Sequence, residues 1–124
     1  VNEDDVCEQL SQRITKALED KKAMDIIVMD VRGHSPVADR FVLASGRSDR
    51  HLKALAQAVV EAAHRAGLAA RVEGLDAMEW LLIDLGDVVV HLFLPEIRQA
   101  FQLEKLWAAP AAAPATQKAG QAIQ

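Results

Sequence analysis

The sequence predicts an α/β (α+β) domain in which helices cover a small mixed sheet of about five strands. Three observations carry this. Amphipathic stretches of helical period open the chain, occupy its middle and follow Pro95. Short β-branched runs stand between them. From Trp80 to Leu94 there are two apolar runs broken only by Gly86-Asp87, a two-residue hairpin loop of the Gly-first kind.

The first helix runs from about Asp5 to Lys22. Val6, Leu10, Ile14, Ala17 and Leu18 form its apolar stripe, and Asp4 or Asp5 is placed to cap it. Ile26 to Val31 is too short and too branched for a helix and reads as a buried strand, followed by turn chemistry at Arg32-Gly33-His34-Ser35-Pro36. Arg40 to Ala44 is a second strand, ended by Ser45-Gly46. Ser48 caps the next helix, which points Leu52, Leu55, Ala56, Val59 and Ala63 inward and stops at Gly67. Ala69 to Glu73 is a short third strand. The hairpin loop then pairs Leu85 with Val88, Ile83 with Val90 and Leu81 with Leu92 on one wholly aliphatic face. The other face pairs Asp84 with Val89, Leu82 with His91 and Trp80 with Phe93. It must be partly accessible if Asp84 and His91 are to be tolerated. Pro95 opens the closing helix, with Ile97, Ala100, Phe101, Leu103 and Leu106 inward and Trp107 closing it onto the sheet. Residues 108–124 hold eight Ala, two Pro and a single charge without apolar period, so they read as a disordered tail behind one domain at 1–107.

Length and composition exclude several classes. At 124 residues the chain is one domain, and with 51% hydrophobic and 26% charged residues it is an ordinary globular one. The lone Cys7 cannot form an internal disulfide, and one Cys with four scattered His is a poor zinc set. No apolar run is long enough to span a bilayer, and the acidic start Asn2-Glu3-Asp4-Asp5 is unlike a targeting peptide. Net charge is −4 for the chain and −5 for residues 1–107, against a generic nucleic-acid binder. Residues 32–71 nevertheless carry a local +4.

Catalytic constellations are thin. Gly46-Arg47-Ser48 sits between a strand and a helix start, where N–H groups can hold phosphate, although any such junction may use Gly and a Ser cap. A nucleotidyltransferase would follow that turn with two alternating carboxylates for Mg²⁺, whereas this chain has Arg71-Val72-Glu73. Asp84 and His91 are conceivable as an acid–base pair, but no nucleophile converges on them. Cys7 beside Asp4, Asp5 and Glu8 has its thiolate disfavoured. No cofactor and no metal are expected. The stronger signal is Trp80, which alternation sends to the same face as Phe93 and His91. Aromatics rimmed by polar groups mark binding surfaces.

The same residues resemble a known family. Glu73-Gly74, then Trp80 to Asp84, Gly86-Asp87-Val88 and Val90-His91, are similar to the E-G…W-x-x-x-D-x-G-D-V-x-V-H core of the ribosomal silencing factors, also called Iojap-like. Lys21 to Ile26, Met29-Asp30-Val31, Ser45-Gly46-Arg47-Ser48-Asp49-Arg50-His51, Glu96 to Arg98 and Leu103-Glu104-Lys105-Leu106-Trp107 resemble further blocks in the same order. The resemblance spans about 9–107. Phe101 stands where the family usually has Tyr, and Arg40 at a position often aromatic.

The resemblance implies a nucleotidyltransferase-like fold without that activity, in accord with the missing carboxylate. It also implies a cytoplasmic, non-enzymatic repressor of translation that binds the large ribosomal subunit through ribosomal protein L fourteen. There it would block joining of the small subunit when nutrients are scarce. Candidate partner-binding residues are Trp80, Leu82, Asp84, His91 and Phe93; candidate RNA or anion contacts, for a peripheral touch on ribosomal RNA, are Arg47, Ser48, Arg50 and Lys53. The expected state is a monomer or weak homodimer, with no membrane contact. The alternatives are a nucleotidyltransferase-like enzyme or nucleotide sensor using the Gly46–Ser48 turn, and an oligomerisation domain using the aromatic face.

Overall fold

The structure, a computed structural model, describes residues 3–32 and 38–101, with side chains placed for 6–32 and 38–99. The turn read at 33–36, the helical positions beyond Phe101 (Trp107 among them) and the Ala/Pro-rich stretch lie outside the described residues.

Eight elements follow in the expected order: α1 (Glu3–Asp20), β1 (Met24–Asp30), β2 (Arg40–Ser45), α2 (Asp49–Arg65), β3 (Arg71–Glu73), β4 (Trp80–Asp84), β5 (Val88–Phe93) and α3 (Pro95–Phe101). α1 begins at Glu3, which places Asp4 and Asp5, expected as its caps, inside the helix's first turn. β1 starts at Met24, ahead of the expected Ile26, and its register shifts between Met24 and Ile27, where Asp25 takes φ 51°. Ser48 caps α2 as expected, its Oγ accepting the His51 N–H at 3.2 Å.

The strands form one sheet in the order β1-β2-β5-β4-β3. β2 and β5 run parallel, and the other neighbours are antiparallel. The hairpin register is the one its loop predicts, with Trp80 opposite Phe93, Leu81 opposite Leu92, Leu82 opposite His91, Ile83 opposite Val90 and Asp84 opposite Val89. The aliphatic set Leu81, Ile83, Leu85, Val88, Val90 and Leu92 joins α1 (Leu10, Ile14, Leu18) and α2 (Leu52, Leu55, Val59) in the larger core. A second, smaller cluster lies on the opposite face: Met29, Val31, Ala38, Phe41, Leu43, Val89 and Phe93, with Trp80, Leu82 and Ile97 packed against it. That second layer positions the candidate site.

Arg40 begins β2 beneath α1, only 9% exposed, with Glu8 at 3.7 Å and Asp30 at 3.6 Å. Asp30 also takes a bidentate hold on Arg32, whose guanidinium lies 2.6 Å away and lowers the carboxyl to about 2. A charge is tolerated at this buried place because two carboxylates meet it.

Candidate functional site

Period-two alternation along β4 and β5 sends Trp80, Leu82, Asp84, Val89, His91 and Phe93 to the face opposite the two long helices. The structure divides this set. Trp80, Leu82 and Asp84 on β4 are half-buried, whereas His91 and Phe93 on β5 are 1% and 0% exposed. The face is partly accessible, as expected, but only on β4; His91, expected to need that access, is buried with Phe93. β5 is the central strand of the sheet, and Phe41 from β2, Trp80 from β4 and Ile97 from α3 close over its outer side.

His91 is tolerated by a different route. Its ring lies 4.7 Å from that of Phe41, stacks at 10° on Phe93 with centroids 6.0 Å apart, and accepts the Trp80 indole N–H on Nδ1 at 3.2 Å. Burial lowers its pKa from 6.5 to about 4, so at neutral pH it is uncharged and free to accept. The Trp80 ring also packs 5.1 Å from Phe93. The partly buried indole is thus held by a hydrogen bond below and an aromatic floor beside it. Its orientation is set before any partner arrives, which reduces the ordering cost of binding.

Asp84 and His91 do not form an acid–base pair. Asp84 faces Val89 in the register, and its Oδ1 accepts the Gly86 N–H at 2.9 Å, pinning the hairpin turn. At the back of the site, a Cβ on Gly74 would run into the Trp80 carbonyl oxygen, and the residue takes φ +92°. Only glycine lets the chain after β3 pass so close to the start of β4.

The Gly46–Ser48 turn is engaged by the chain itself. Gly46 N–H goes to the Phe93 carbonyl (2.9 Å), Arg47 N–H to His51 Nδ1 (2.9 Å), and Arg50 N–H to Asp49 Oδ1 (2.8 Å). The Ser48 hydroxyl is spent as the cap, and a carboxylate stands at the helix start where an anion would bind. Arg71, in place of a first metal carboxylate, is exposed on β3. Arg47, Arg50 and Lys53 are exposed at the start of α2. Cys7, Asp39 and Asp87 bring one donor atom each within 4.8 Å of one another, the thiol being buried and 4.0 Å from Asp39 Oδ2. Three donors of mixed type fall short of a closed zinc shell.

Two residues with structural work at the site received no role from the sequence. His51 bridges from Arg47 to the Lys21 carbonyl (2.8 Å), tying the α2 start to the end of α1. Arg98, 6% exposed, donates to Ser45 Oγ at 3.0 Å and fastens α3 to the end of β2. Both stand in motif blocks already singled out, which was the available signal.

Comparison with known proteins adds to this geometry. A family model described as "Ribosomal silencing factor during starvation" matches residues 4–123, taking in most of the Ala/Pro-rich stretch as well as the motif blocks. The ribosomal silencing factor of Bacillus subtilis is 44% identical over 92 residues, 73% of this chain and 78% of that protein. A mouse protein named for mitochondrial assembly of the ribosomal large subunit is 39% identical over 98 residues, 76% of this chain and 43% of that protein. A crystal structure of a Chromobacterium violaceum protein superposes with TM-score 0.79 at 39% identity, covering 82% of this chain and 86% of that one.

Proposed function

The chain belongs to the ribosomal silencing factor family, and we propose that it represses translation by docking its Trp80 face on the large ribosomal subunit, at ribosomal protein L fourteen. Its bulk then keeps the small subunit from joining. The family is named for silencing ribosomes, a regulator's role and not a catalyst's. The large subunit as target is favoured by the name of the mouse relative. Among the described residues no helix is long and apolar enough to cross a membrane, and we assign the action to the cytoplasm.

The observation that carries the reading is the partly buried Trp80, fixed by His91 and Phe93 and flanked on its own strand by Leu82 and Asp84. Aromatic anchors of this kind dominate protein interfaces. Leu82 widens the apolar centre, and Asp84 at the hairpin end supplies charge at the rim, where it governs orientation more than strength. His91 and Phe93 act from beneath as supports. An interface of ~1,600 Å² is enough for specific binding, so the domain need not cover the subunit surface to obstruct it.

The test is co-sedimentation with purified large subunits. Trp80→Ala is expected to weaken binding by about 2 kcal/mol, roughly 30-fold, with the far-ultraviolet dichroism retained. Unchanged binding per folded molecule, together with a collapse in thermal stability, would make Trp80 a core residue only. Calorimetry with ATP and Mg²⁺ separates the nucleotide-sensor alternative, which requires micromolar binding heat; none is expected.

A further inference from the structure

Cys7, Asp39 and Asp87 come from three separate parts of the chain: the second turn of α1, the residue before β2, and the β4–β5 hairpin loop. No sequence spacing joins them, and the fold supplies as carboxylates the donors that scattered histidines could not. Backbone bonds hold two of the segments together, the Asp87 carbonyl accepting both the Asp39 N–H (2.8 Å) and the Arg40 N–H (3.1 Å). α1 lays the buried Cys7 thiol over that junction, 4.0 Å from Asp39 Oδ2. Asp39 is half-buried and Asp87 exposed, so the cluster runs from the core to solvent.

The spacing suits an ion of zinc's size. Tetrahedral zinc, with sulfur at about 2.3 Å and oxygen at about 2.1 Å, sets its ligands roughly 3.5 Å apart. The three donors lie within 4.8 Å of one another, and a rotamer change at the exposed Asp87 closes the difference. Three protein ligands, with the fourth position left to water, make an open zinc site. A thiolate among the ligands selects zinc over magnesium or calcium.

A second observation points the same way. Ser11 lies one helical turn after Cys7 and is 2% exposed, and its hydroxyl has no hydrogen-bond partner among the described residues. Helical side chains lean toward the helix N-terminus and stack at i and i+4, so this hydroxyl leans toward Cys7. A buried hydroxyl left unsatisfied marks a missing partner, an ion or its water among them. A thiol whose hydrogen goes to Asp39 is a weak acceptor. A metal-bound thiolate is a strong one, and Ser11 is placed to donate to it.

We propose that Cys7, Asp39 and Asp87 form a zinc site, with Ser11 supporting the thiolate and water at the open position. On binding, a Zn–S bond replaces the S–H bond, and the thiol proton leaves to solvent. The neighbouring Arg40 does not oppose the cation, because Glu8 and Asp30 already meet its charge. The ion ties the start of α1 to the sheet at the loop end of the hairpin, whereas Trp80 and Phe93 pair at its open end. The site therefore does not rest on the ribosomal reading.

The test uses the full, tag-free chain, stripped of metal with a chelator. It is titrated with Co²⁺ as a spectroscopic probe and with Zn²⁺ against a chromogenic chelator. One ion per chain is expected, with a thiolate-to-cobalt charge-transfer band in the near ultraviolet, and Zn²⁺ should raise the melting temperature. Cys7→Ser should abolish the band. Asp39→Asn and Asp87→Asn should each weaken Zn²⁺ binding at least about tenfold, since losing a ligand costs no less than losing its outer-shell support. Asp87 is exposed on its loop, so Asp87→Asn decides the matter even if a substitution at the buried Cys7 does not fold. His64→Gln, in the last turn of α2, should bind as the wild type does. A wild type that binds no Zn²⁺ up to ~100 µM overturns the proposal. So does cobalt bound without the thiolate band, binding lost in His64→Gln, affinity unmoved in Asp87→Asn, or one ion shared between two chains.

Discussion

Lowering the pH from 7 to 4.5 should destabilise this fold through one side chain, His91. Its ring is 1% exposed, packed against Phe41 and Phe93, and its Nδ1 must stay unprotonated to accept from the Trp80 indole. Burial holds its pKa near 4, against 6.5 for an exposed imidazole. Between those values the unfolded chain binds a proton that the folded chain excludes, so stability falls as pH falls. The full contribution is present above 6.5, and loss is complete near 4. One proton over that interval at about 1.4 kcal/mol per pH unit gives a loss of about 3 kcal/mol. Asp30 does not confound this window, because its carboxyl, held to about 2 by Arg32, loses its contribution only as pH falls below 3.8. The assay is urea unfolding followed by tryptophan fluorescence at half-unit pH steps, for the wild type and His91→Asn. Asparagine keeps an acceptor near Nδ1 and does not titrate. The wild type should show the slope, and the variant, though less stable at neutral pH, should be nearly flat from 6.5 to 4.5. Equal slopes in the two proteins would refute the reasoning.

Gly74→Ala should cost about 3 kcal/mol or more in thermal unfolding, because its Cβ meets the Trp80 carbonyl oxygen and its φ is +92°; it should also weaken subunit binding by displacing Trp80. Deleting residues 108–124, with eight alanines and one charge, is expected to change neither melting temperature nor co-sedimentation; a loss of several degrees would show that the segment docks. Changing Arg47, Arg50 and Lys53 together to Gln should leave a shallow salt dependence of binding unchanged. A steep wild-type slope that flattens in the triple variant, by roughly 0.7–0.9 per phosphate contact, would show that these residues grip ribosomal RNA.

The hairpin was legible in full because a two-residue loop ties register to sequence. Once Gly86-Asp87 is the turn, Trp80 must face Phe93 and Leu82 must face His91. Helical periods and the Ser48 cap were legible for the same local reason. Less was visible where distant segments meet. Alternation assigns Phe93 and His91 to a face but is silent on what covers it, and the cover comes from Phe41 and Ile97, far along the chain. The parallel pairing of β2 with β5 is likewise a long-range choice. Arg98 has no role legible in the sequence, because its partner Ser45 lies 53 residues earlier. Of the candidate site, Trp80, Leu82 and Asp84 are half-buried, while His91 and Phe93 form the buried floor that holds Trp80.

The central claim is tested most directly by subunit joining. Purified large subunits are incubated with the chain, small subunits are added, and light scattering or gradient sedimentation reports whole ribosomes. The wild type should suppress their formation in proportion to its occupancy of the large subunit, and folded Trp80→Ala should restore it at the same concentration. Whole ribosomes forming at full occupancy, with the chain still bound, would contradict occlusion.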